Sequence, residues 1–340
     1  MAGFGRRMRD GVLAASVLLA MTPAAPRAEE VHEIRIAQQY GIPFLPLTIM
    51  KERGLLEKAA VATGLPVPKV VWAQFANGTV MNEALISNNL DIASGGIGPM
   101  ITIWAKTRGG IDSRGIASLG STPIILTTNN PSVKTIRDFT DKDKIAVPAV
   151  KVSIQAVTLQ MAAEKEWGPG QQQRLDPLTV SMTHPDAAIA LLGGRSEITA
   201  HFANAPFQYQ ELLDPRIHRV LNSYEVTGGP HTSYVAWGMS KFHEANPRSF
   251  KAFLGALDDA MRFIRENPRE AARIYVAFEK STLDPDFVTK IITDPDNDFT
   301  VVPQNSMKFA LFMERTGSIK EKPGSWKDMF FPELYDREGS

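Results

Sequence analysis

The 340-residue sequence contains no cysteine. Its absence excludes disulfide bridges, thiolate metal sites and cysteine nucleophiles together, and leaves no residue for a lipid anchor behind a leader sequence. The charge shows no bias either, because 37 lysines and arginines balance 37 aspartates and glutamates. Nucleic acid is therefore not expected as the main partner, since binding phosphates requires an excess of positive charge on one face. With 44% apolar and 22% charged residues, the composition is that of a globular protein long enough for two domains.

Familiar catalytic and metal-binding motifs are also missing. The six histidines show neither H-x-x-x-H nor H-E-x-x-H spacing, so we predict no metal site and no cofactor. Neither a G-x-S-x-G nucleophile turn nor a glycine-lysine phosphate loop occurs. The glycine-rich stretch 94–98 follows the third predicted strand instead of the first, which does not favour a dinucleotide site. The sequence thus favours a binding protein over an enzyme.

The first 28 residues, 1–28, read as a secretory signal peptide. Three arginines precede an apolar run over residues 12–21, which is too short to span a membrane as a helix, and small residues and prolines follow. We place cleavage between Ala24 and Glu29, and Arg6-Arg7 leaves twin-arginine export open. No later apolar run is long enough for a transmembrane helix. The mature chain is therefore expected free in the periplasm, not as a lipoprotein.

A short pattern that occurs twice indicates two similar lobes. Residues 84–94 and 190–200 each read as the end of an apolar helix, a small or turn-forming pair, an acid-isoleucine step and a short buried strand. Asn88-Asn89 and Gly193-Gly194 suit the positive φ of a helix exit. The offset of 106 residues is too long for a solenoid repeat and about right for one lobe.

Strand and helix patterns alternate along both halves, which predicts a doubly wound sheet in each lobe. The extended apolar pieces 123–128 and 234–239 are predicted to cross between the lobes, and the C-terminal part is mostly helical. We therefore assign residues 29–122 and 237–340 to lobe 1 and residues 123–236 to lobe 2.

Ligands in open α/β sheets sit beyond the carboxyl ends of the strands, so polar and aromatic residues at strand ends are the candidate binding site. The candidates in lobe 1 and the first crossing are Gln39, Tyr40, Phe44, Phe75, Asn77, Gly78, Ser94, Gly95, Ser121 and Thr122. The candidates in lobe 2 and the return crossing are Lys151, Val152, Ser153, His201, Phe202, Asn204, His231 and Thr232.

The first helix of lobe 2 is where we expect an anionic group to bind. Free N–H groups and the helix dipole favour an anion at such a helix start, and Lys151 would add a point charge. The residues expected to fix the orientation of the ligand are Gln39, Asn77, Ser94, Asn204 and Thr232. Structural alternatives stay open: an N-cap for Ser153, a solvated loop lysine for Lys151, core positions for Phe44, Phe75 and Phe202, a turn for Asn77-Gly78, and structural histidines for His201 and His231.

With these residues in place, the chain resembles the periplasmic substrate-binding proteins of ABC transporters, in the nitrate/sulfonate/taurine branch. The resemblance covers nearly all of the mature chain and is carried by Ile34-Arg35-Ile36-Ala37, the helix 46–56 ending in Arg53-Gly54-Leu55-Leu56, the segment 84–93, Lys144-Ile145-Ala146-Val147-Pro148 and the segment 186–197. It implies an α/β protein with a two-lobed, type II periplasmic-binding-protein-like fold. Each lobe would be a doubly wound sheet with flanking helices, with two crossing strands and C-terminal helices.

The resemblance also implies a function. A monomer would capture a small organic anion between its lobes, without catalysis, and deliver it to an ABC permease in the inner membrane. Two segments depart from the family: residues 149–153 replace a Gly/Ser-rich turn, and residues 201–204 replace a segment that often holds tryptophan. With Tyr40, Phe44, Phe75 and Phe202 nearby, we expect a larger sulfonate or carboxylate, aromatic ones included. The alternatives are a ligand sensor that presents the same lobes to a receptor, and an enzyme, although the enzymes that resemble this fold depend on cysteines.

Overall fold

Two five-stranded sheets organise the described part of the chain, residues 1–3 and 30–340 of a computed structural model. Residues 4–29, which hold nearly all of the predicted signal peptide, lie outside the described residues. The strands are β1 (Glu33–Gln38), β2 (Lys69–Gln74), β3 (Ile92–Gly96), β4 (Ser113–Gly120), β5 (Ile125–Thr128), β6 (Ile145–Val147), β7 (Thr179–Ser181), β8 (Ala200–Ala203), β9 (His218–Asn222) and β10 (Tyr234–Met239).

Helices cover the sheets and fill the C-terminal part. They are α1 (Leu45–Glu52), α2 (Leu55–Ala62), α3 (Gly78–Ile86), α4 (Ile97–Thr107), α5 (Ile154–Trp167), α6 (His184–Gly193), α7 (Phe207–Glu211), α8 (Ser223–Thr227), α9 (Ser240–Ala245), α10 (Pro247–Glu266), α11 (Pro268–Phe278), α12 (Pro285–Ile292) and α13 (Ser306–Arg315). Among the described residues, none of these helices combines the length and the apolar character that crossing a membrane requires.

The two sheets share one strand order. The first runs β2-β1-β3-β10-β4 and the second β7-β6-β8-β5-β9. In each, the fourth strand is antiparallel to its neighbours, whereas the first three strands run parallel. The two-lobed α/β fold predicted from the sequence is therefore confirmed, and we keep the names lobe 1 and lobe 2 for the parts built around the first and second sheet.

The repeated sequence pattern marks equivalent places in the two lobes. It covers the end of α3 and the start of β3 in one lobe, and the end of α6 and the start of β8 in the other. The predicted helix exits are confirmed, because Asn88 and Gly194 have φ angles of 56° and 61°. This left-handed conformation turns the chain back toward the sheet, and asparagine and glycine adopt it at the least cost.

The two predicted crossing pieces lie elsewhere than expected. Ile125–Thr128 is β5 and Tyr234–Met239 is β10, and each pairs on both sides within a single sheet. The chain instead changes sheets over the short segments 121–124 and 228–233. The apolar runs were misplaced because a strand buried on both faces looks the same in sequence as an extended connection.

The N-terminal part of the described chain is fixed by one carboxylate. Glu30 is buried and accepts hydrogen bonds from the backbone N–H of Arg248 and of Ser249, at 3.0 and 2.8 Å, at the start of α10. The Arg248 guanidinium and the Ser249 hydroxyl also donate to it. Burial raises the pKa of Glu30, but these hydrogen bonds from Ser249 and Arg248 outweigh it and hold the pKa below its usual value. The strand β1 is thereby tied to the longest helix.

We expect Glu30→Ala to lower the free energy of unfolding by about 1–3 kcal/mol, since it removes the acceptor for buried donors. The lowered pKa fixes the sign of the pH effect. The loss of unfolding free energy caused by Glu30→Ala is fully present above the pKa that Glu30 has in the unfolded chain. It disappears as pH falls through the lower pKa of Glu30 in the folded protein, because the wild-type carboxylate then protonates too. Urea unfolding at several pH values measures it. Glu33→Ala, at an exposed pair with Lys69, is the control and should change little; equal losses in both variants would contradict the role of Glu30.

Candidate ligand site between the lobes

Hydrogen bonds join the two lobes directly. The N–H of Ile42 donates to the carbonyl of Ala205 at 2.9 Å, and the side-chain amide of Asn204 donates to the carbonyl of Tyr40 at 3.2 Å. A Cβ placed on Gly98 in α4 would overlap the carbonyl oxygen of Val152, which belongs to lobe 2. The structure therefore shows a closed arrangement of the lobes.

A small cavity lies inside this contact. Its volume is about 10 Å³, roughly the space of one water molecule. Both lobes line it, through Gln39, Phe44, Asn77, Gly78, Gly96, Pro99, Pro148, Ser153, Ile154, Gln155, His184, Asn204 and Tyr234. None of these side chains is an acid, a lysine or an arginine, so the wall of the cavity is neutral apart from the histidine.

Helix N-termini from both lobes meet at the cavity. Gly78, Ile154 and His184 are the first residues of α3, α5 and α6, and Gly96 precedes α4. Asn77 and Ser153 cap their helices, each accepting from backbone N–H groups of the first turn. The N-cap role considered for Ser153 is therefore real, and the same residue also faces the cavity. Converging positive helix ends give the cavity an electrostatic preference for negative charge.

Polar groups continue from the cavity into the core of lobe 2. The amide nitrogen of Gln155 lies 3.2 Å from the Tyr234 hydroxyl and 3.2 Å from Nε2 of His184. Nδ1 of His184 lies 2.8 Å from Nε2 of His201, and Nδ1 of His201 lies 2.5 Å from Oε1 of Glu211. We call Gln155, His184, His201 and Glu211 the relay; all four are buried.

Burial shapes the titration of the two groups nearest the cavity. The pKa of His184 is lowered well below its usual value by burial, and further by the neighbouring His201. Burial also raises the pKa of the Tyr234 phenol, so its proton is retained at every physiological pH. One further atom stands out, because Oδ1 of Asn204 is buried and has no hydrogen-bond partner. Such an acceptor invites a donor from a bound molecule or water.

About a third of the predicted site residues line the cavity, namely Gln39, Phe44, Asn77, Gly78, Ser153 and Asn204. Three more lie next to it. The carbonyl of Tyr40 accepts a hydrogen bond from the Asn204 side-chain amide, which lines the cavity. Gly95 packs against the Gln39 side chain, and the carbonyl of Val152 packs against Gly98.

The other predicted residues are not brought to the cavity. Lys151 is exposed, with a φ of 66°, and its charge acts on Asp176 instead. Phe202 is in the core and Phe75 is half-buried, so the core alternative holds for Phe202. The remaining residues are Ser94, which donates to Ala37, His201, which belongs to the relay, and the crossing residues Ser121, Thr122, His231 and Thr232. The crossing residues bond to one another or to neighbouring backbone, which ties the two crossing segments together.

Sequence reasoning missed Gln155, His184 and Tyr234. A signal for His184 was present, because it follows the second strand of lobe 2 as Asn77 and Gly78 follow the second strand of lobe 1. Applying the same rule to both lobes would have found it. Tyr234 was read as part of a crossing piece, and Gln155 lies one residue inside a helix, where nothing in the sequence distinguishes it from a core residue.

Solved structures resemble this chain over most of its length. The alkanesulfonate-binding protein SsuA from Xanthomonas axonopodis pv. citri, bound to MOPS, aligns with a TM-score of 0.69 at 16% identity, covering 86% of this chain and 96% of that one. The aliphatic sulphonate-binding SsuA from Escherichia coli aligns with a TM-score of 0.65 at 19% identity, covering 89% of this chain and 99% of that one. The nitrate-binding protein NrtA from Synechocystis PCC 6803 aligns with a TM-score of 0.67 at 16% identity, covering 89% of this chain and 85% of that one.

These comparisons confirm the fold that the sequence motifs predicted. The chain has the two-lobed fold of periplasmic binding proteins, and the similar structures include sulfonate- and nitrate-binding proteins, the branch that the motifs resembled. No family model matches the sequence, and no curated protein matches it. Among residues 1–3 and 30–340, no cluster of three or more histidines and acids could hold a metal ion.

We expect Gly98→Ala to hold the lobes apart. The new methyl group would strike the Val152 carbonyl across the cleft, whereas alanine itself favours helix α4 by up to about 1 kcal/mol. Small-angle X-ray scattering should give a larger radius of gyration than for wild type, with the secondary structure unchanged. Gly255→Ala, in an exposed turn of α10 with no atom near the added Cβ, is the matched control. Identical scattering from both variants would show that this contact does not set the closed state.

Proposed function

We propose that this protein is an extracytoplasmic solute-binding protein that captures a small organic anion between its lobes. The observation that carries the proposal is the neutral cavity surrounded by four helix N-termini from both lobes. The cavity has room for about one water molecule, so a ligand of this class requires the lobes to stand further apart than they do here. Its contacts with both lobes would then favour that partly closed arrangement over the open one.

Backbone amides and neutral donors would hold the anion in place of a charged side chain. Lys151 was the expected partner, but it is exposed and away from the cavity, so we assign the anionic group to the starts of α4 and α5. Gln39, Ser153 and Asn204 would orient the ligand. The rings of Phe44 and Tyr234, which meet edge-on at 5.2 Å, would form its apolar wall.

Sulfonates and carboxylates are the proposed ligand class, aromatic ones included. The similar sulfonate- and nitrate-binding structures support an oxyanion. The likeness to periplasmic binding proteins supports capture of the ligand outside the cytoplasm. A monomer would deliver it to an ABC permease in the inner membrane, as the sequence motifs predict. The missing cysteines disfavour the enzyme alternative, although the buried pair of histidines with Glu211 would suit proton transfer. Turnover of any ligand that binds would establish that alternative.

The first experiment is thermal unfolding of the protein from about residue 29 onward, with nitrate, ethanesulfonate, benzenesulfonate, acetate, benzoate and thiamine precursors. A ligand at about a thousand times its dissociation constant adds about 4 kcal/mol to the free energy of unfolding. We expect at least one sulfonate or carboxylate to raise Tm clearly, and choline to have no effect. Protein that has been unfolded and refolded should be used, so that no ligand is carried over from expression. No shift with any anion would overturn the proposal.

Two variants test which residues hold the ligand. We expect Asn204→Ala to weaken binding of the stabilising anion by more than tenfold, since the Asn204 amide would donate to it and a hydrogen bond to a charged group contributes about 1.5–3 kcal/mol. Lys151→Ala should change the dissociation constant less than about twofold, because an exposed charge is screened by solvent and salt. Isothermal titration calorimetry measures both. If Lys151→Ala weakened binding more than Asn204→Ala, Lys151 would hold the anion, as expected from the sequence.

A further inference from the structure

Helix α13 belongs to lobe 1 but turns one of its faces toward lobe 2. It packs on α4 of lobe 1 and also against α5 of lobe 2. Lys308, Leu311, Phe312 and Arg315 follow one another at helical spacing, so they share one side of the helix. This face therefore carries a cation near each end and two apolar residues between them.

Both cations of this face reach across to lobe 2. Nζ of Lys308 donates to the carbonyl of Thr227 at 2.8 Å. The guanidinium of Arg315 donates to both carboxylate oxygens of Glu164, at 2.9 and 2.7 Å. Helix α13 is thereby joined to α8 near its start and to α5 at its end.

A groove runs along this face of α13, between the two lobes. Its volume is about 570 Å³, and small-molecule sites typically have volumes of about 300–1,000 Å³. Both lobes supply its apolar lining, with Met161 and Val226 from lobe 2 and Leu311 and Phe312 from α13. Leu311 keeps 38% of its surface exposed, so the apolar sides of the two lobes face each other without closing the gap. A molecule that covered this surface would gain from removing it from water.

The charged side chains that line the groove are mostly cations. They are Lys308, Arg315 and Lys322, and Glu314 is the acid among the described residues of the lining. Glu164 neutralises Arg315, whereas Lys308 donates to an uncharged carbonyl and Lys322 makes no hydrogen bond or ion pair with any described residue. Two cations against one acid leave a positive charge beside the apolar lining.

We propose that this groove is a second ligand site, outside the cleft, for a small amphipathic anion such as an alkyl or aryl carboxylate or sulfonate. The apolar body of the ligand would cover Leu311 and Val226, and its anionic group would lie beside Lys308 and Lys322. A cation would meet the positive charge of the groove, and a fully polar anion would leave the apolar lining in water. The site goes beyond the proposed function, because its lining residues differ from those of the cavity described above.

The test uses anilinonaphthalene sulfonate, an amphipathic anion whose fluorescence rises when it leaves water. We expect the folded wild-type protein to bind this probe, and Leu311→Glu to weaken binding by more than about tenfold, because the new carboxylate would stand in the apolar lining and repel the sulfonate. Leu213→Glu adds the same charge at an exposed leucine outside the groove and should bind as wild type does. No binding to wild type, or equal dissociation constants for the three proteins, would overturn the inference.

A pair of lysine variants tests where the anionic group lies. We expect Lys322→Ala to weaken binding of the probe about two- to fivefold, the effect of losing one solvent-exposed ion pair. Lys320→Ala removes the same charge from an exposed lysine outside the groove and should leave binding unchanged. Equal weakening by both variants would show that the probe responds only to the net charge of the protein, and would overturn the assignment of its sulfonate to Lys322.

Asn204→Ala separates the groove from the cleft. Asn204 lines the cavity between the lobes and not the groove, so we expect this variant to bind the probe as wild type does. If Asn204→Ala weakens binding of the probe and Leu311→Glu does not, the probe occupies the cleft, and the inference fails while the proposed function stands. If no anion raises the Tm of wild type but Leu311→Glu still abolishes probe binding, the proposed function fails and the groove site stands.

The state of each variant is checked by near-ultraviolet circular dichroism, because the probe also binds the apolar surface that partly folded chains expose. Wild-type spectra for all variants, together with loss of probe binding in Leu311→Glu alone among the two glutamate variants, are the expected result.

Discussion

The close approach of two backbones across the cleft is the constraint on which the site depends. Gly41, with a φ of 114°, lies where a Cβ would come within 2.6 Å of the Ala205 carbonyl, and a Cβ on Gly98 would come within 2.4 Å of the Val152 carbonyl. Only residues without a side chain allow this approach. Because the lobes meet here, helix N-termini that lie on separate sheets come to surround one cavity.

The neutral wall of that cavity is a consequence of how charge is placed in the two lobes. Glu211 is the charged group closest to the site along the relay, and it lies in the core of lobe 2, separated from the cavity by two imidazole rings and an amide. Burying this carboxylate is costly unless it is paired, and hydrogen bonds from His201 and Thr127 offset the cost. The carboxylate of Glu211 is thereby kept away from the cavity, whose wall stays neutral apart from His184.

Much of the fold could be predicted because it depends on local patterns. Alternating Glu33–Gln38 reads as a strand, and the repeated exits at Asn88 and Gly194 fix the order of elements in both lobes. The site was less accessible to prediction. Strand ends pointed correctly to Asn77 and Asn204, but Lys151 was expected to face inward, and its left-handed backbone leaves it exposed to solvent.

The sequence by itself determined the α/β class, the two similar lobes and the absence of cysteine chemistry, since each follows from composition or from periodicities of a few residues. The tertiary structure alone decided that Tyr234, Gln155 and His184 meet, because their contacts join β10, α5 and α6, which are far apart in the chain. It also decided that the apolar runs at β5 and β10 are central strands, since burial on both faces depends on neighbours that a local pattern does not contain.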